Sequence, residues 1–488
     1  MKRPRPQYGG APTSGPGEGR RALSPDLRSV GLPGRGRRMW ARWIGRLAAC
    51  LPGLLTVNAA DADVARASPP VSPRSASSLL SAADPAAEEE RILRLEQREA
   101  AETLLREHPG GDAAFVLAMV WHEQGDVSAA IRLWRDGLQM PEASVRLHKR
   151  AEVLAEYAEA LRIQERFDEA ERALRESLAL QPRREQTVLR LAHLLYARDR
   201  AEECLAVLTA APAGSAAAHS LRGKACQRLG RMEEARTHFE AALQADPNWA
   251  EACYGLAVTC ARLGFDAEAA AYRSRFTRLK AEQQSVGREY RAGLSPLHTT
   301  RQSTAMTHTA VAWVYQDHGQ TGVAERWWRR AAELDPDNTA CRFHLMMLCQ
   351  RTGRNEEALR LCREMIRAEP NNPFHHLSLG NLEARRGELA AAGAAYETAH
   401  RLGPDRPEAC FALAQFYLRA NTNLPTAARL AARAVELSPA APHQYVLSRA
   451  AARVGDRETA RRAIERACEL DPGNEDYQAW RRTLSAGP

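Results

Sequence analysis

The sequence predicts an all-α fold: a superhelical α-solenoid of about ten helix-turn-helix repeats, interrupted once near the middle. Three observations predict it. Ala, Leu, Arg and Glu dominate a 488-residue chain that is 26% charged and 6% aromatic, a composition that favours helix. The stretch "GRMEEARTHFEAALQADPN", Gly230 to Asn248, has a near-copy, "GRNEEALRLCREMIRAEPN", at Gly353 to Asn371. Marker residues also recur 34 positions apart: Ala235 and Ala269; Ala324, Ala358 and Ala392; Pro336, Pro370 and Pro404. A fixed period of this size marks a stacked array.

Residues 1–60 read as a basic leader. Residues 1–46 hold eleven Lys or Arg and two acids, Glu18 and Asp26, whereas 47–488 hold 57 basic and 58 acidic residues. The chain's net charge of +8 therefore belongs to the leader. The body is neutral, and no nucleic-acid partner is expected, because phosphate binding needs clustered positive charge. Arg42 and Arg46 precede an apolar run, Leu47 to Val57, and Val57-Asn58-Ala59 presents small residues for cleavage. This is the pattern of a secretory signal peptide, with Met39 an alternative start. The run is too short for a transmembrane span. Leu47-Ala48-Ala49-Cys50 offers a rival reading as a lipidation signal, although the apolar run follows Cys50 instead of preceding it. Residues 61–84 form a Ser/Pro/Ala-rich linker.

A capping helix is expected over 85–110, a first block of five units over 111–283, and a second block of five over 305–474. A second capping helix, containing Tyr477 and Trp480, is expected over 475–488. In each unit a first helix carries Leu and then a small residue, as in Leu256-Ala257, Leu379-Gly380 and Leu413-Ala414. Gly follows it at 230, 264, 319, 353, 387 and 455, where a left-handed residue can end a helix. Acids such as Glu356-Glu357 open the second helix at its positive end. The recurring Ala packs against the small residue, and Phe239, Trp328 or Tyr396 fills the groove between units. Asp246-Pro247, Asp335-Pro336 and Asp471-Pro472 then end the second helix. The third unit is short, closing near Pro212.

The two near-copies lie 123 residues apart, which is three periods and a surplus of 21. The surplus is the insertion at 284–304. Tyr272, Phe276, Leu279, Gln283, Val286 and Tyr290 follow one another at steps of four and three, so the fifth unit's second helix should run on with a mostly apolar seam until Gly293 and Pro296 break it. The seam either packs on neighbouring repeats at a joint or docks a partner or a second copy.

The segments "AVAWVYQDHGQTGVAERWWRRAAELDPDN" and "LGNLEARRGELAAAGAAYETAHRLGP" carry the Gly, Ala, aromatic and Pro positions of the tetratricopeptide repeat family, which the array resembles over roughly 70% of the chain. The resemblance implies a right-handed superhelix whose first helices line a concave face. It also implies a non-catalytic scaffold that binds an extended or helical segment of a partner protein. Family ligand contacts fall at set positions. The fifth position holds Tyr254, Thr309, Phe343, Leu377, Phe411 and Tyr445. The ninth holds Asn381 in the eighth unit. The thirteenth holds Arg228, Arg262, Asp317, Arg351, Arg385, Arg419 and Arg453. An apolar stripe beside an arginine ladder suits a segment with acidic or C-terminal carboxylates. A basic residue before the Gly also complements the end of its own helix, so the ladder has a purely structural reading too. The family's chaperone-type carboxylate clamp is not met, because Leu377 stands where it needs Lys.

Chemistry is not expected. No Gly-rich phosphate loop, nucleophile elbow or zinc-type helix motif occurs, so neither a cofactor nor a metal is anticipated. His298, His308 and His318 do not share a helical face, and His375 and His376 point apart. Nine of ten Cys lie in the array, several at core positions, where thiols behave as small apolar groups. A Cys349–Cys362 disulfide is sterically conceivable without other support. The leader argues for export to the periplasm or cell envelope; the thiols argue for the cytoplasm and for an intracellular adaptor subunit of an enzyme complex. A repeat-bearing enzyme is the remaining class.

Overall fold

Each repeat folds into two helices because two apolar stripes are separated by one residue that turns left-handed. Gly230, Gly264, Gly319, Gly353, Gly387 and Gly455 all have φ between 76° and 85°. Where a unit lacks this Gly, the same conformation is held by Glu165 (φ 59°), Asp199 (φ 62°) and Asn421 (φ 54°). The computed structural model describes residues 84–141, 150–293 and 295–485. The leader with Cys50, residues 61–83 of the linker and the junction of the first two units at 142–149 lie outside the described residues.

There are 22 helices and, among the described residues, no strand. Helix α1, Pro85–Glu107, precedes the array. The first block pairs α2 Gly111–Glu123 with α3 Val127–Gln139, α4 Arg150–Ile163 with α5 Phe167–Leu180, and α6 Glu185–Ala197 with the short α7 Ala201–Leu208. It continues with α8 Ala216–Arg228 and α9 Met232–Ala245, then α10 Ala250–Leu263 and the long α11 Asp266–Gly293. The second block pairs α12 Pro296–Asp317 with α13 Thr321–Leu334, α14 Thr339–Arg351 with α15 Asn355–Ala368, and α16 Pro373–Arg386 with α17 Leu389–Leu402. It ends with α18 Pro407–Ala420 and α19 Leu424–Leu437, α20 Ala441–Arg453 and α21 Arg457–Leu470, and the terminal α22 Glu475–Ser485.

The repeated residues do the packing. Ala235, Ala324, Ala358 and Ala392 are wholly buried. Phe239 is wholly buried too, its ring so close to Gly223 in its own unit and Gly255 in the next that a Cβ at either would lie 2.7 Å or 2.4 Å from it. One aromatic ring thus fills the groove between consecutive units, and glycine on both sides makes the room. Tyr396 repeats the arrangement over Gly380, with a Cβ contact of 2.6 Å. Helices α6, α8 and α10 touch in series, as do α16, α18 and α20, while the second helices of neighbouring units stay further apart. The first helices therefore line the inner side of the superhelix.

The interruption is a break in stacking. Of the seam on α11, Tyr272 joins the Phe239 core, the Phe276 ring sits 5.3 Å from Tyr254, and Leu279 is buried beside Ala250 and Cys253 of α10. Gln283 is exposed, and the side chains of Val286 and Tyr290 lie outside the described residues. Helix α11 packs chiefly on α10 and builds no comparable interface with α12. A new helix begins at Pro296, a residue suited to the first turn, and α12 packs on α1 and α2 instead. Helix α1 is therefore more than a cap. It stands between the first unit of each block.

Candidate functional site

The inner face of the second block is built from α14, α16, α18 and α20. Each presents an aromatic or aliphatic side chain at its fifth position and an arginine at its thirteenth. Phe343, Phe411 and Tyr445 are half-buried. Phe411 packs at 5.1 Å from the His443 ring, and Tyr445 lies 4.9 Å from Tyr477 with Arg449 above it. Leu377 and Thr309, at the same position in their units, are buried and have little surface left for a ligand. Tyr254, in the first block, is 55% exposed.

The arginines differ among themselves. Arg228 is committed: its Nη1 donates to the Tyr196 carbonyl at 2.7 Å, its guanidinium lies 3.3 Å from the Asp199 carboxylate, and it covers the Tyr196 ring at 4.2 Å. Arg453 donates to the Asn421 side-chain oxygen. Arg262, Arg351, Arg385 and Arg419 are exposed and pair with no carboxylate among the described residues. The difference has a local cause. Arg453 reaches the left-handed residue 32 positions earlier. Arg228 reaches the equivalent residue 29 positions earlier, across a unit three residues short. The residues 32 before Arg262, Arg351, Arg385 and Arg419 are Gly230, Gly319, Gly353 and Gly387. Glycine ends the helix but offers no side chain, so these guanidiniums stay open.

Some arginines at the second helices pair closely across units. Arg354 donates to Glu325 at 2.6 and 3.0 Å, and Arg329 to Glu357 at 2.6 Å, linking α13 to α15.

Asn381, Arg385, Tyr396 and Arg419 meet between α16 and α18. The Tyr396 hydroxyl donates to the Asn381 Oδ1 at 2.8 Å, which leaves the Asn381 amide donors turned to other partners. Burial pushes the Tyr396 phenol up to about 12, against the opposing pull of Arg419 and Arg385, whose charges act on the same hydroxyl. The cluster presents donors and positive charge, groups of the kind that bind carboxylate oxygens.

Among the described residues no group of three His, Cys, Asp or Glu is placed to hold a metal ion. The nine described cysteines are free and buried, Cys349 and Cys362 included. Burial pushes the Cys341 and Cys362 thiols up to about 12, away from reactive thiolate. His375 is held by Glu369 at 3.1 Å, and this bond draws the Glu369 carboxyl down to about 2. The His376 Nε2 donates to the Pro370 carbonyl at 2.9 Å, ahead of α16, and His298 is exposed.

Models of the tetratricopeptide repeat match residues 216–249, and residues 98–144 and 310–373. The chain carries tetratricopeptide repeats in these segments. No curated protein sequence matches it. Solved structures of the same repeat type are similar to it. Yeast Tom70 is 13% identical over 77% of this chain and 95% of its own, with a TM-score of 0.33. PilF of Pseudomonas aeruginosa is 18% identical over 55% of this chain and 97% of its own, with a TM-score of 0.33. YrrB, described as having an unusual peptide-binding site, is 18% identical over 36% of this chain and 92% of its own, with a TM-score of 0.31. No helix among the described residues is long and apolar enough to cross a membrane.

Proposed function

We propose that this tetratricopeptide-repeat protein is a non-catalytic scaffold that holds an extended or helical segment of a partner protein on the inner face of its second block. The observation that carries the reading is the row of open guanidiniums on three successive inner helices, Arg351, Arg385 and Arg419, beside half-buried Phe343 and Phe411. Arginine forks recognise carboxylates in pairs, and the ring faces take the apolar side chains between them. The partner segment is therefore acidic or ends in a free carboxylate. Affinity capture from lysate and envelope fractions tests it, comparing the wild type with a variant carrying Glu at 351, 385, 419 and 453, after circular dichroism shows that both fold. Partners lost only from the variant support the reading; an unchanged partner set overturns it.

A second reading, an intracellular adaptor subunit of an enzyme complex, is favoured by one observation. The buried thiols are all free, a state suited to a reducing compartment. We retain export as the proposal drawn from the leader. Intact-mass analysis of the protein from its native host separates the two: loss of the first 59 residues supports export, and a leader retained in a cytosolic chain supports the adaptor.

A further inference from the structure

The open arginines of the second block form a row with two defined ends. Arg351, Arg385 and Arg419 each stand two residues before the left-handed turn that closes their helix, and each is 34 residues from the next. One unit earlier the same place holds Asp317, two residues before Gly319, so a carboxylate stands where the row would otherwise continue. One unit later it holds Arg453, whose guanidinium donates to the side-chain oxygen of Asn421. The row is therefore three open cations long. Units of equal length place the three at even steps. Helices α16 and α18 touch, as do α18 and α20. Touching helices lie about 8–10 Å apart, axis to axis, which sets the step along the row.

A second row runs beside the first. Half-buried Phe343, Phe411 and Tyr445 lie eight residues before Arg351, Arg419 and Arg453 on the same helices, a distance of about 12 Å along each axis. Between the rows stand the ninth positions, with Asn381 exposed and Gln415 half-buried. The Asn381 Oδ1 accepts from the Tyr396 hydroxyl at 2.8 Å, which leaves its Nδ2 to donate. The Gln415 side chain makes no hydrogen bond among the described residues. Free amides on this floor suit a ligand whose own backbone groups are unpaired, which an α-helix does not offer. A β-strand returns a side chain to the same face about every 7 Å. Polyproline II returns one at every third residue, about every 9 Å. The second spacing matches the row, and proline rings pack well on aromatic faces.

We infer that the second block reads spacing as well as charge: its ligand is a polyproline II segment with three acidic residues, one at every third position, whose carboxylates pair one each with Arg351, Arg385 and Arg419. Asp317 and the contact between Arg453 and Asn421 set the register, because they withhold a fourth open cation at either end. This register presupposes the acidic ligand proposed above.

Calorimetry with the full chain and synthetic peptides at low salt tests this. Proline peptides of equal length, capped at both ends, carry three Glu at every second, every third or every fourth position, and an alanine-based helical peptide carries three at every seventh. The every-third peptide should bind at least about tenfold more tightly than the others, and Arg385→Gln, which removes the middle cation, should reduce that preference to below about twofold. A fourth Glu in register should add nothing in the wild type. It should add about fivefold in Asp317→Arg and in Asn421→Gly, which frees Arg453 while keeping the left-handed turn. Circular dichroism confirms that each variant folds. Equal binding by all the peptides, lost with Gln at 351, 385 and 419, overturns the spacing and leaves the acidic ligand standing. Tightest binding by the helical peptide overturns the polyproline II conformation. A gain from the fourth Glu in the wild type, or none in either variant, overturns the bounded register. No binding by any peptide, with or without a free C-terminus, overturns both the spacing and the acidic ligand.

Discussion

On the first helices of the first block most arginines are paired, Arg262 excepted, whereas three successive first helices of the second block carry unpaired ones, Arg351, Arg385 and Arg419. In the first block Glu156 accepts from Arg190 at 3.0 Å, Arg162 donates to Glu159 at 2.6 Å, and Arg228 is tied to Asp199 and the Tyr196 carbonyl. In the second block Arg351, Arg385 and Arg419 have no such partner among the described residues. The contrast teaches that an arginine at a ligand-facing position says little by itself. Its neighbour in the preceding turn decides whether it is available. Asp199 and Asn421 end their helices left-handed and reach an arginine; Gly353 and Gly387 end theirs as well and reach nothing.

The comparison can be broken first at the packing level. Phe239→Ala removes the ring shared by Gly223 and Gly255 and should cost about 3–5 kcal/mol. The loss should appear as faster hydrogen exchange across α8 to α11, with α14 to α21 unaffected if the blocks are energetically separate. Equal acceleration in both would mean that they unfold as one.

Acid should act more on the second block than on the first, where burial also lowers His122, His193 and His238. Burial holds His308 of α12 and His344 of α14 down to about 4, against the ordinary 6.5. Below pH 6.5 the unfolded imidazoles bind protons that the folded ones refuse until about pH 4, so stability falls as pH drops through that window. Thermal melts followed by exchange at pH 7 and pH 4.5 should show α12 to α15 losing several degrees more than α2 to α9. A His344→Gln variant should reduce the difference.

A milder change sharpens the charge argument without altering net charge. Asn tolerates the left-handed region, and no atom lies within 4 Å of a Cβ at Gly353 or Gly387. Gly353→Asn and Gly387→Asn should supply Arg385 and Arg419 with the acceptor that Asn421 gives Arg453. Each should weaken partner binding about fivefold, the worth of roughly 1 kcal/mol, measured by calorimetry with a captured partner segment. Smallest is Tyr396→Phe, which removes one hydroxyl bond to Asn381 and should lower stability by about 1 kcal/mol in urea, with binding changed less than twofold.

Much of this was legible in the sequence. The 34-residue step of Ala and Pro, the Gly after each first helix and the aromatic at Phe239, Trp328 and Tyr396 predict the hairpins and the contacts between them, because each residue acts on neighbours at fixed spacing. The long helix through Tyr272, Phe276 and Leu279 was legible for the same reason. The left-handed turns at Glu165 and Asp199 were less so, since neither residue type demands that conformation. The availability of Arg385 was hidden in a relation between positions 32 apart, readable only once the contact between Arg453 and Asn421 is known. The seating of α1 on α12 had no local signal. Gln97 and Ser303 are 206 residues apart, and nothing in either segment names the other.

The most direct test of the open inner face is fluorescence anisotropy with a labelled pool of acidic ten-residue peptides with free C-termini. Three proteins are compared at equal salt: the wild type, a variant with Gln at 351, 385 and 419, and a variant with Gln at 228. If the second block holds the partner, the triple variant should lose binding by about thirtyfold or more, some 2 kcal/mol, and become insensitive to salt, while Arg228→Gln binds as the wild type does. Equal binding by all three proteins, or an equal loss in both variants, would contradict it.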